Sequence, residues 1–170
     1  MIELLTNRLV INELTESDAD FILRLVNSPT WIENIGDRGL RTIPDAIEFI
    51  KEGPMTSYKS LGVGLWRVAL SENRMPIGIC GLLKRESLPY MDIGMAFLPE
   101  YTRQGYATEA ATTCVRYAFY EKDAHEILAV TSKENERAVA MLKRLKFSYQ
   151  REIPFTAEEK LQLHCLKEAI

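Results

Sequence analysis

Hydrophobic and polar positions change period several times along the chain. Residues 8–14, RLVINEL, read as a first strand. Thr15 and Asp18 then make a capping box ahead of Phe21, Ile22, Leu25 and Val26, whose spacing is helical. Pro29 closes that segment. Thr42 and Asp45 repeat the capping signal, and a second short helix is expected through Ile47 and Ile50, stopping at Gly53-Pro54. The middle of the chain has shorter runs at 63–70, 77–83 and 91–98. Turn residues Asn73 and Pro76, then Ser87 and Pro89, divide them. This predicts a meander of antiparallel strands.

After Pro99 the period becomes helical. Ala107, Ala110, Ala111, Cys114, Val115, Ala118 and Phe119 form one apolar stripe. Its small residues would let the helix lie close against a sheet. Residues 126–131, EILAVT, read as a strand. Ala138, Met141, Leu142 and Leu145 mark another helix, with Glu136, Arg137, Lys143 and Arg144 toward water. Residues 161–166, LQLHCL, are the last strand. Strand 91–98, helix 107–119 and strand 126–131 form a crossover, which gives parallel neighbours with a right-handed connection. The fold class is α/β, with an α+β mixed sheet, mostly antiparallel, and helices on both faces. It is expected as one domain over residues 1–170.

Composition narrows what such a fold can do. At 170 residues, 46% hydrophobic and 26% charged, the chain should bury roughly 70% of its unfolded surface. The formal net charge is -3, so the whole molecule is no electrostatic match for nucleic acid. Cys80, Cys114 and Cys165 lack metal-ligand spacing and a disulfide framework; they read as buried thiols in a reducing compartment. The N-terminus has no signal-peptide pattern. No apolar run approaches the roughly 20 residues that span a bilayer. A cytoplasmic protein needing no metal and no membrane is expected.

The stretch that carries chemistry is 91–109, MDIGMAFLPEYTRQGYATE. A strand ends at Leu98, and a loop with Arg103 and Gly105 leads into a helix. The first turn of a helix has unpaired N–H groups and partial positive charge. Gly105 permits close approach, Ala107 adds little bulk and Arg103 adds charge, which suits a pyrophosphate. The loop is neither G-x-x-x-x-G-K-[ST] nor G-x-G-x-x-G, so ATP and dinucleotide sites are poorly supported.

The block DIGMAFLPEYTRQGYATEA resembles the acetyl-CoA signature of the GNAT superfamily. It is most similar to the branch of Rim-type ribosomal-protein N-terminal acetyltransferases, whose pattern is E-I-G-Y-x-L-x-P-E-Y-W-G-K-G-Y-A-T-E-A. TNRLVINELTESDADFI resembles T-E-R-L-x-L-R-x-L-x-x-x-D, and NERAVAMLKRLKF resembles N-x-x-S-x-x-x-L-E-K-x-G-F. The resemblance spans nearly the whole chain and implies a GNAT-like acyl-CoA N-acyltransferase fold, its sheet splayed at the coenzyme. It implies that the backbone of Phe97 and Leu98 pairs with the pantetheine arm. Arg103, Gln104, Gly105, Tyr106, Ala107 and Thr108 would wrap the pyrophosphate. Asn135 would contact the coenzyme, a role compatible with capping a helix. The chain departs from the pattern at Thr102, where the superfamily has Gln or Arg. It departs again at Lys146 in place of Gly, and at Asn12 in place of an Arg that often lies near the acceptor.

The implied reaction moves acetyl from acetyl-CoA to an amine acceptor, either a protein N-terminus, a peptide or a small molecule. A base must deprotonate the ammonium, and a backbone N–H can stabilise the oxyanion. Asp92 holds the acidic position of E-I-G-Y and is the candidate base; the plainer alternative is a strand-start Asp bonded to a turn. Glu86 is a second candidate, in a segment that reads as loop. The family's Tyr is Leu142 here and the branch's Ser is Ala138, which leaves the leaving thiolate to take its proton from water. Tyr149, His125 and His164 are not assigned roles. Two other functions fit the same pattern: a non-catalytic acyl-CoA-binding or regulatory domain, and an acyltransferase for longer acyl chains. The protein is expected as a monomer or homodimer.

Overall fold

The N-terminal alternation folds as antiparallel strands. In the computed structural model, which describes residues 2–156 and 159–168, β1 (Glu3–Leu5) pairs with β2 (Leu9–Glu13), Leu4 opposite Ile11. β2 is the predicted first strand. β1 is unpredicted, because three half-exposed residues are too few to show a period. The predicted capping box is present: the Thr15 N–H donates to Asp18 Oδ2 at 2.8 Å. A short 3₁₀ turn then enters α1 (Ala19–Val26), which buries Phe21, Ile22, Leu25 and Val26. Pro29 ends α1's reach but also opens α2 (Pro29–Asn34), where Ser28 Oγ accepts from the Trp31 N–H. Proline suits that first position, since its missing N–H has no helical partner there.

The second capping box is also present, with the Thr42 N–H donating to Asp45 Oδ2 at 2.8 Å at the head of α3 (Ile43–Ile50). Gly53-Pro54 does not stop this helix. The chain widens into a π turn over Lys51–Met55 with Pro54 inside, then continues as α4 (Thr56–Leu61) to Gly62. A widened turn absorbs the proline that would break a regular ladder. The Thr56 hydroxyl donates to the Lys51 carbonyl at 2.8 Å. Gly62, at φ 67°, supplies the left-handed stop.

The three middle strands are β3 (Leu65–Leu70), β4 (Pro76–Leu83) and β5 (Asp92–Phe97). β3 runs antiparallel to both β2 and β4. The Leu98 N–H donates to Ile77 O at 2.9 Å. A β carbon on Gly78 would come within 2.6 Å of the Ala96 carbonyl. Partner numbers fall on one strand as they rise on the other, the antiparallel sense. Then follow α5 (Tyr106–Glu121), β6 (Glu126–Thr131), α6 (Glu136–Arg144), β7 (Ser148–Pro154) and β8 (Lys160–Lys167). The strand order is β1-β2-β3-β4-β5-β6-β8-β7, a mixed sheet. The predicted crossover is parallel, with Asp92 opposite Leu128. β7 went unpredicted because SYQREIP is exposed almost throughout and shows no apolar alternation.

The chain divides into two compact units, Met1–Gly81 with Met95–Ala111, and Leu82–Gly94 with Thr112–Ile170. The first has a core of Leu14, Phe21, Ile22, Leu25, Trp31, Ile50, Ile79 and Leu98. Each large aliphatic so buried contributes about 1.5–3 kcal/mol. The second packs Leu88, Leu128, Leu163 and Cys165. Along α5 the small stripe is buried at Ala110, Ala111, Cys114 and Ala118. All three cysteines are buried and none forms a disulfide. Among the described residues no helix is long and apolar enough to cross a membrane.

Candidate active site

In the first unit, β5 runs out at Phe97, a 3₁₀ turn covers Pro99–Tyr101, and the loop to α5 begins. Arg103 sits at φ 61° and Gly105 at φ 85°. A backbone curling through left-handed residues beside a helix start aims N–H groups at an anion. Arg103 has a Cβ and so carries strain there. The Gly105 carbonyl accepts from the Glu109 N–H at 3.0 Å, so Gly105 caps α5. The first turn of a helix is where N–H groups fall outside the helical ladder.

The backbone of Leu98 is already occupied. Its N–H donates to Ile77 and its carbonyl accepts from Tyr101. Hydrogen-bonding direction alternates along a strand, so Phe97 offers its own groups on the opposite side of β5.

A residue that sequence reasoning passed over holds this turn. Arg8 Nη1 donates to Gln104 O at 3.0 Å. Arg8 Nε and Nη2 lie 2.8 and 2.6 Å from Glu109 Oε2. Its guanidinium stacks 4.5 Å from the Tyr106 ring centroid. Thr6 Oγ1 donates to Glu109 Oε1 at 2.6 Å. Burial pushes the Glu109 carboxyl up, but the bonds from Thr6 and Arg8 outweigh it and hold the acid below its usual range. The signal was present: Arg8 and Glu109 each stand inside a block that resembles the family.

In the second unit, Asp92 at the head of β5 is fully buried. Neither carboxylate oxygen has a hydrogen-bond partner. Arg85 Nε stands 3.1 Å from Oδ2, without the alignment of a hydrogen bond. Burial raises the Asp92 carboxyl to about 6, and the Arg85 charge only partly offsets it. Arg85 stands in the turn that leads into β5, so this ion pair is also what the plainer alternative of an Asp tied to a turn requires. Glu86, the second candidate, is exposed in the turn beside Arg85.

The family model described as "Acetyltransferase (GNAT) domain" matches residues 8–148. The chain belongs to the GNAT acetyltransferase family. It is an acetyl-CoA-dependent N-acetyltransferase. The N-acetyltransferase YoaA of Bacillus subtilis (strain 168) is 26% identical over 148 residues, 86% of this chain and 82% of YoaA. The acetyltransferase structure from Agrobacterium tumefaciens str. C58 superposes with a TM-score of 0.83 at 21% identity, covering 99% of this chain and 95% of that one. RimL, a ribosomal L7/L12 α-N-protein acetyltransferase solved with coenzyme A, gives 0.83 at 10% identity, covering 96% of each chain.

Set beside the family pattern, the departures acquire physical content. The Thr102 hydroxyl donates to Pro99 O at 2.8 Å and closes the 3₁₀ turn. Asn12 Oδ1 accepts from Arg67 Nε at 3.0 Å, and Arg67 Nη1 reaches Asp18 Oδ1 at 3.1 Å. A guanidinium therefore stands beside position 12, supplied by the neighbouring strand. Lys146 is left-handed at φ 65°, the geometry that favours the family's glycine. Asn135 caps α6, its Oδ1 accepting from the Ala138 N–H at 3.1 Å. Leu142 is buried and carries no proton to give. Tyr149 is exposed and stacks edge-on to the buried His164, whose pKa burial lowers. His125 pairs with Glu168 at the surface.

Proposed function

We propose that this acetyltransferase passes acetyl directly from acetyl-CoA to a primary amine on a protein N-terminus, a peptide or a small molecule. In that reading the turn from Arg103 to Thr108 receives the pyrophosphate, and the backbone of Phe97 receives the pantetheine arm. Asn135 adds a coenzyme contact from its helix cap. Asp92 takes the proton that the ammonium must lose, directly or through water. The amine nitrogen bonds to the thioester carbon, the carbon–sulfur bond breaks, and the second proton that the nitrogen sheds passes through water to the departing thiolate. The observation that carries the reading is the Asp92 carboxylate, buried without hydrogen bonds and poised near pH 6. A general base works best when its pKa lies near the operating pH. Three buried cysteines outside disulfides support a reducing, cytoplasmic setting.

The test is turnover of acetyl-CoA and longer acyl-CoAs against a panel of amines, with Gly105→Glu as the control. That variant places bulk and negative charge where the phosphates would sit. Its coenzyme affinity by calorimetry is expected to fall at least 100-fold, about 2.7 kcal/mol. Unchanged affinity would remove the turn from the site, and acetyl-CoA left intact by every amine would remove the activity.

A further inference from the structure

We infer that Arg8 is a positioning residue for coenzyme binding, acting by orienting the Gly105 N–H. This rests on the reading of residues 103–108 as the pyrophosphate turn. Among the described residues every peptide bond is trans, and in a planar trans peptide the carbonyl and the next N–H point in opposite directions. The Gln104 carbonyl is drawn onto Arg8 Nη1 at 3.0 Å. The Gly105 N–H is therefore turned away from Arg8, and the anion is inferred to lie on that side. Without that bond the peptide plane is free to rotate, and Gly105 offers no side chain to resist it.

Arg8 is itself fixed on every side. Nε and Nη2 both engage Glu109 Oε2. Glu109 is held in turn by the Thr6 hydroxyl and by the Arg8 backbone N–H at 3.1 Å. The face of the guanidinium lies on the Tyr106 ring. These contacts engage all three nitrogens of the guanidinium, and the effect inferred for Arg8 runs through the peptide that it holds. Its nearest approach to Gly105 is close: a β carbon added there would stand 3.2 Å from Arg8 Nη2. Arginine is required by this geometry, because a lysine ammonium cannot hold a carbonyl and a carboxylate in one planar fork.

The experiment compares wild type with Arg8→Gln and Arg8→Lys. Steady-state kinetics with acetyl-CoA is paired with calorimetry using coenzyme A alone. Both variants are expected to raise acetyl-CoA KM and coenzyme A Kd about tenfold, with kcat and amine KM within about twofold. Lysine is expected to behave like glutamine. Recovery of wild-type affinity by Arg8→Lys would make Arg8 a simple charge toward the phosphates and overturn the inference. So would unchanged KM and Kd in Arg8→Gln, or a fall in kcat with KM unchanged. Wild type that binds no coenzyme A would instead sink the reading of the turn itself, a result separable from all of these.

Discussion

Two arginine–carboxylate pairs in this protein are built from the same groups and behave oppositely. Glu109 and Arg8 meet at a partly exposed position, with side chains 20% and 46% accessible. Every contact the acid makes favours its charge, and its pKa falls. Asp92 and Arg85 meet where the carboxylate is buried, and its pKa rises to about 6. The distances differ little, 2.6 Å against 3.1 Å. Solvation and hydrogen bonding decide the sign. Desolvation disfavours a carboxylate, and a neighbouring charge without aligned donors or water repays only part of it. Glu109 has those donors, whereas buried Asp92 has the Arg85 charge beside it and no aligned donor.

Rate offers the largest break in this comparison. Asp92→Asn keeps shape and removes basicity. If Asp92 is the base, turnover at neutral pH should fall by about 10²–10⁴-fold while coenzyme affinity holds. The loss should shrink as pH rises, because free amine then becomes abundant unaided. A variant with full rate at neutral pH would leave positioning of amine and thioester as the source of catalysis, a contribution that can reach several kcal/mol.

The same substitution should improve stability. A carboxyl lifted from 3.8 to about 6 on folding binds more protons folded than unfolded between those values. Stability is therefore lost as pH climbs through that window, by about 3 kcal/mol once pH 7 is reached. Asn avoids the buried charge but still lacks hydrogen-bond partners. We expect Asp92→Asn to gain about 1–2 kcal/mol at pH 7 in urea unfolding, with the gain vanishing below pH 4. A less stable variant at neutral pH would mean that the charge is solvated after all.

The legibility of the two pairs in the sequence follows from their geometry. Strong local periods gave α5, β6 and both capping boxes. β7 was silent because it lies at the sheet's edge with exposed side chains. The π turn was silent because a Gly-Pro pair signals a stop in any local rule, and accommodation depends on the ladder around it. Asp92 and the 103–108 turn were singled out through strand position, one glycine and family resemblance. Arg8 was not, because its partner lies 101 positions away. Arg85 sits inside the charged run KRE, which reads as solvated loop until the strand after it is placed.

Arg85→Gln sharpens the comparison further. Arg85 is the charge that lowers Asp92 toward its usual range. Without it the acid should titrate higher, and the acidic limb of kcat/KM should move to higher pH by on the order of one unit. Turnover at pH 7 should fall about twofold and recover by pH 9. In the Asp92→Asn background the same change should have no effect on the profile. A limb that does not move in the single variant would separate Arg85 from the titrating group.

The smallest effect is expected at the satisfied pair, and its sign is the point. Glu109 has a lowered folded pKa, so it binds fewer protons folded than unfolded around its titration. Its contribution to stability is present above the unfolded value of 4.5 and is lost as pH falls through the lower folded value. Partial exposure screens the pair, which limits the contribution to about 1 kcal/mol or less. Glu109→Gln should therefore cost up to about that much at pH 7 in urea unfolding and nothing near pH 3. Asp92→Asn differs from wild type over a similar acidic window, but in the opposite direction. Stability curves of the two variants against pH should converge on wild type in acid from opposite sides. Convergence from the same side would show that hydrogen bonding and solvation do not distinguish the two carboxylates, and the physical basis for choosing Asp92 as the base would go with it.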